Sequence, residues 1–167
     1  HLEFDIPSRG LIGLRSQMLT ATAGEAIMAH RFSEYKPFKG AIPSRINGVL
    51  ISKNQGQATA YSIEKLQDRG RFFVDPGEEV YMGMIVGEQN KPGDLVVNIV
   101  EGKQLNNMRA AGKDKDGNIA PKVLMTLEEC MEYIQADEAI EVTPNFIRMR
   151  KKLLSEEDRK RAERGRA

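Results

Sequence analysis

The chain has 167 residues, 40% of them apolar, and its 25 Lys and Arg nearly balance 24 Asp and Glu for a formal net charge of +1. That length admits one domain or one and a fraction, the apolar share allows a real core, and overall charge does not by itself announce a nucleic-acid binder. A single cysteine, Cys130, excludes an intramolecular disulfide framework and fits a reducing cytoplasm, and no apolar run approaches the roughly 20 residues of a membrane span.

No basic-then-apolar signal segment opens the chain. Residues 1–6 start without Met and already alternate, with Leu2, Phe4 and Ile6 against Glu3 and Asp5, which is the period of a half-buried strand. A fragment cut from a longer protein is expected. Pro7-Ser8 offers a helix start, Leu11, Leu14, Met18 and Ala21 recur at helical spacing, and Gly24 is a natural stop. Residues 26–32 read as a second strand. A β-α-β unit over residues 1–35 is too thin to bury its own helix, so it is expected to be half of something larger. Such a half would leave a sheet edge open, through which residues 1–35 are expected to self-associate.

Residues 35–40 read as a linker, and the pattern beyond is mainly β. Residues 47–53 and 57–61 flank Asn54-Gln55-Gly56, a hairpin signal. Residues 62–69 suit a short helix ended by Gly70. Residues 71–74 and 80–88 flank Asp75-Pro76-Gly77, where Pro then Gly fits a type II turn. Val80, Met82, Met84 and Val86 line one face of the second run, and Tyr81 and Ile85 the other, so burial on both faces is expected. Gly83 and Gly87 leave room for close backbone approach. Lys91-Pro92-Gly93-Asp94 repeats the turn chemistry before a strand at 95–100.

Residues 101–118, EGKQLNNMRAAGKDKDGN, have no alternating pattern. Connections this long without structure are uncommon in compact domains and are usually functional or disordered. Lys103, Arg109, Lys113 and Lys115 face Glu101, Asp114 and Asp116 in the count of charge, and Lys122 follows. A long polar arm with a slight positive excess suits a phosphate backbone. An ordinary surface loop is the plain alternative.

Thr126 and Glu129 form a capping-box pattern, with Met125 placed to staple onto Cys130. The helix is expected to run to 135 with Leu127, Cys130, Met131 and Ile134 inward. Strands at 139–142 and 146–150 are joined through Thr143-Pro144-Asn145, and a weaker capping box at Ser155 opens a last helix with no apolar stripe. Charge is segregated here: residues 123–143 hold six acids and no bases, and residues 145–167 hold nine bases and four acids.

Phosphate-cradling GxxxxGK[ST], GxGxxG and GxSxG motifs are all lacking. His1 and His30 make no metal-ligand spacing with Cys130, and no carboxylate pair stands out. The pattern therefore assigns no catalytic, cofactor or metal residue, and an enzyme confined to this chain is not expected. Binding remains. Arg148, Arg150, Lys151 and Lys152 form the strongest basic patch, with Arg148 and Arg150 sharing one strand face and Ile147 and Met149 pointing inward. Lys122 lies near them if the strands pair. Few aromatics interleave, which favours phosphate contact with folded RNA over base stacking. A solvated basic face balancing the acidic helix is the alternative.

Longer motifs carry a resemblance. PSRGLIGLR at 7–15, with residues 20–24 and 32–35, resembles the second half of domain V in translational GTPases. INGVLI at 46–51, GQATAY at 56–61, LQDRG at 66–70 and DPGEEVY at 75–81 resemble the C-terminal domain of the TypA/BipA family. So do NMRA at 107–110, MTLE at 125–128 and EVTP at 141–144. The resemblance implies an α+β, mainly β chain: a partial ferredoxin-like β-α-β segment at 1–35, then a mostly β C-terminal domain at 36–154 with one or two short helices and a long loop, then a basic helix or tail at 155–167. It implies a ribosome-associated GTPase of stress adaptation and large-subunit assembly, with GTP and Mg held in an N-terminal domain outside these residues and no cofactor within them. The implied partners are the bacterial ribosome, large-subunit rRNA and A-site tRNA, approached by the loop carrying Lys103, Arg109, Lys113, Lys115 and Lys122. A protein-interaction module without direct RNA contact is the rival reading.

Overall fold

The computed structural model describes residues 1–11, 13–40, 45–102 and 119–165. The organising strand is β1 (Val49–Ser52), buried along its whole length. Alternation sends Leu50 into one apolar cluster and Val49 and Ile51 into another. A short continuous apolar run is what a strand covered on both faces looks like.

Further strands are β2 (Gly56–Gln57), β3 (Gly70–Phe72), β4 (Glu79–Val80), β5 (Met84–Gln89), β6 (Leu95–Val97), β7 (Glu138–Val142) and β8 (Ile147–Lys151). Among the described residues, one six-stranded sheet runs in the order β6-β1-β5-β8-β7, with β3 also paired to β5, and β2 and β4 form a separate ladder. β1 is antiparallel to β5 and parallel to β6. The chain is thus α+β and mainly β.

Two short helices cover the sheet. Helix α2 (Ala60–Leu66) is capped by Thr59, whose hydroxyl accepts the Ser62 amide, and inserts Ile63 beside Leu50 and Val86. Helix α3 (Leu127–Tyr133) carries the expected capping box: Thr126 Oγ1 accepts from the Glu129 amide and the Glu129 carboxylate accepts from the Thr126 amide. It buries Cys130 against Val49, Ile51 and Met149, with Met125 in the same cluster. Burying Ile63 alone is worth about 1.5–3 kcal/mol. Helix α4 (Glu156–Arg164) buries no residue.

Several expectations are corrected. The Asn54-Gln55-Gly56 turn does not close a hairpin: both edges of β1 are occupied, by β5 and β6, so β2 pairs with β4 and the chain enters α2 at once. The run 80–88 is broken at Gly83, whose φ is +86°, leaving Met82 45% exposed. A Cβ on Gly83 would lie 2.6 Å from Leu154 Cα, and one on Gly87 2.4 Å from the Arg71 carbonyl oxygen, so both glycines do permit close backbone approach. On α3, Met131 is exposed and Tyr133 takes its inward place. The opening segment forms helix α1 (Leu14–Ala21), but residues 1–6 and 26–32 form no ladder with any described residue. A strand needs a hydrogen-bonded neighbour as well as alternation, and among the described residues Arg31 meets Glu3 through side chains alone, while Asp5 pairs with Lys36 beyond the second stretch.

Candidate nucleic-acid interface

The basic patch sits on β8, where successive side chains alternate between faces. Met149 is buried, and Lys151, two residues on, is buried with it at 1% exposure. The Lys151 side chain therefore faces the interior of the fold rather than the surface expected of it. Its Nζ lies 2.6 Å from Asp94, 2.8 Å from Asp137 and 2.8 Å from Glu138. Glu138, opposite Lys151 in the ladder, also receives the Arg45 guanidinium fork at 2.7 and 3.1 Å. The Arg45 guanidinium stands over the Tyr133 ring, 4.6 Å from its centroid. Burial pulls the Lys151 ammonium toward neutrality, but the three carboxylates outweigh it and hold its pKa above the ordinary value. Burial likewise raises Asp137, and the hydrogen bond and charge of Lys151, a backbone hydrogen bond and the charge of Arg45 together more than reverse that, leaving Asp137 below its ordinary value.

Three other cations differ in what they leave open. Arg150 Nε pairs with Glu141 at 2.8 Å, and the same carboxylate accepts the Tyr81 hydroxyl at 2.6 Å. Lys122 bridges Asp75, at 3.1 Å, and Glu78, so its charge is matched by carboxylates rather than offered outward. Lys122 and Arg148 line one groove, but Lys122 lies in no strand, so strand pairing does not bring them together. Lys152 is exposed and donates to the Ala136 carbonyl at 2.6 Å. Arg148 has no carboxylate within ion-pair distance among the described residues and lies over the Phe146 ring at 4.5 Å. Arg148 and Arg150 do share a face, as alternation requires, but Ile147 is 42% exposed rather than inward.

Lys103, Arg109, Lys113 and Lys115 lie outside the described residues. The two sides of that stretch are fixed in the body of the fold. The Glu101 carbonyl accepts from Thr59 Oγ1 at 2.6 Å and from Ser62 Oγ at 2.8 Å. Ile119 packs against the cluster that contains Ile63. Both exits therefore adjoin α2.

Residues 47–156 match the family described as the TypA/BipA C-terminal domain. The chain belongs to the TypA/BipA family. Residues 1–46 match the elongation factor G C-terminus. Relatives named large ribosomal subunit assembly factor BipA are 48% identical over 98% of the chain in Salmonella typhimurium, 48% over 96% in Bacillus subtilis and 49% over 98% in Haemophilus influenzae. The chain spans about a quarter of the length of these TypA/BipA relatives, 27%, 26% and 27% respectively. No described group of His, Cys, Asp and Glu could hold a metal ion, and no described helix is long and apolar enough to cross a membrane.

Arg45 makes a buried structural contact with no local signal in the sequence, because its partner Glu138 is 93 positions away. The inward placing of Lys151 had a signal, the two-residue spacing from Met149.

Proposed function

We propose that this chain is the ribosome- and tRNA-binding module of a cytoplasmic TypA/BipA-type GTPase, contacting large-subunit rRNA and A-site tRNA, with GTP and Mg bound by a domain outside these residues. The carrying observation is near-complete coverage of this chain by relatives named large ribosomal subunit assembly factor BipA. The fold supports a division of labour among the cations. Lys151, Lys122 and Arg150 are matched by carboxylates within the fold. The residues proposed to neutralise phosphates are the exposed Lys152 and, outside the described residues, Lys103, Arg109, Lys113 and Lys115.

The test is salt-dependent binding to purified large subunits. Each phosphate contact contributes about 0.7–0.9 to the slope of log affinity against log salt. Alanine at Lys103, Arg109, Lys113, Lys115 and Lys152 together should lower both affinity and slope while the melting temperature is kept. An unchanged slope with unchanged affinity would sink the reading.

A further inference from the structure

Strands β3 and β8 both pair with the edge of β5 that faces away from β1. Phe72 lies opposite Gly87, and the Phe73 amide donates to the Val86 carbonyl at 2.9 Å. Met149 lies opposite Ile85 and Arg150 opposite Met84. The edge of β5 thus changes partner between Val86 and Ile85, and the two partners diverge from there. Between them opens a groove of about 550 Å³. Val74, Met84 and Ile85 lie at its base, and Leu124, Phe146 and Ile147 stand on its walls, 78%, 51% and 42% exposed.

The backbone of one wall is open for pairing. The Thr143 amide donates to the Phe146 carbonyl at 2.9 Å, so these two form a hydrogen-bonded pair. Pairs alternate along an antiparallel ladder, so Val142 and Ile147 form the non-hydrogen-bonded pair that follows. The Ile147 N–H and C=O then point away from β7, to the side where β5 is already paired with β3. No described strand is registered there.

Among the described residues, the Arg148 charge on this wall has no carboxylate partner. Glu141 is directly opposite Arg148, yet its carboxylate is held by Arg150 and Tyr81. Arg148 is left with the Phe146 ring as its neighbour.

We propose that this groove docks an extended apolar segment of a partner protein that carries an acidic residue. The segment adds to the free edge of β8 as a strand, taking hydrogen bonds from Ile147, setting apolar side chains on Val74 and Ile85, and placing its carboxylate on Arg148. The lining decides against a nucleobase: the base of the groove is aliphatic and offers no side-chain donor or acceptor to a base edge. The Arg148 guanidinium already covers a face of the Phe146 ring, where a base would stack. This inference is independent of the ribosome reading.

The test is selection of heptapeptides from a random displayed library on the whole chain, followed by anisotropy titration of the selected peptides. Alternating apolar residues with one Asp or Glu are expected. Arg148→Glu should weaken binding about tenfold, and exchanging the peptide's acid for Lys should restore it. N-methylation of alternate peptide amides, which leaves the protein untouched, should abolish binding in one phase of alternation and not in the other. The proposal is overturned if no consensus emerges, if Arg148→Glu is without effect, if N-methylation is tolerated at every position, or if a single-stranded RNA heptamer displaces the peptides.

Discussion

Replacing Lys151 with Met removes the ammonium while keeping an apolar stem of similar length. Glu138, with no side-chain exposure, keeps the Arg45 fork. Asp94 and Asp137, whose side chains are 34% and 52% exposed, can turn to water, and each such half-exposed pair is worth only about 0–1 kcal/mol. Breaking a buried ion pair from one side costs about 3–5 kcal/mol. The retained fork places Lys151→Met at the low end, about 3 kcal/mol. Urea unfolding should show this as a lower midpoint at constant slope, and thermal unfolding as a loss of about 6–12 °C. Lys152→Met, one residue on and exposed, should stay within about 0.5 kcal/mol. A cost below about 1 kcal/mol for Lys151→Met, or one equal to that of Lys152→Met, would refute the claim that a buried ionic cluster holds β8 in place.

The cluster also sets a pH profile. Asp137 is depressed below its ordinary 3.8, so its contribution is present above that value and is lost as pH falls through the lower folded value. Lys151 is raised above 10.5, and burial raises Tyr81 and Tyr133 above 10.0, so their contributions are complete below those values and decline as pH rises beyond them. Melting temperature should therefore be level between about pH 5 and 9 and fall on both sides; a rise on acidification below that plateau would contradict the Asp137 assignment. Gly83→Ala and Gly77→Ala both force a residue into φ near +87°, from +86° and +88°, at about 1–3 kcal/mol. Only at Gly83 does the new Cβ meet backbone, 2.6 Å from Leu154 Cα, so Gly83→Ala should unfold at markedly lower urea, and equal effects would remove the close-approach argument. Thr126→Ala deletes the α3 cap and should cost about 1 kcal/mol in the same assay, with no change counting against the capping box.

Local chemistry was legible where its partner lies within a few residues. The Thr126 capping box and the turn at Gly77 follow from side-chain reach and from glycine's access to positive φ. The β7–β8 hairpin was legible too, and counting back from Pro144-Asn145 places Glu138 opposite Lys151. Treating the four cations at 148, 150, 151 and 152 as one surface patch overlooked that count and the period of two from Met149. What pattern could not supply was neighbour choice. Alternation near Asn54 marks β1 as a strand but says nothing of β5 and β6, which lie far along the chain and fill its edges. Arg45 was invisible for the same reason, since no local signal links it to Glu138.

The anchoring of Glu101 and Ile119 beside α2 bears on how this family can vary. With Glu101 and Ile119 both held near one helix, the two ends of the connection across 103–118 are positioned by the described fold itself. Each doubling of such a connection costs only about 0.6 kcal/mol in closure entropy. Lengthening the connection is therefore cheap so long as Glu101 and Ile119 keep their places beside α2.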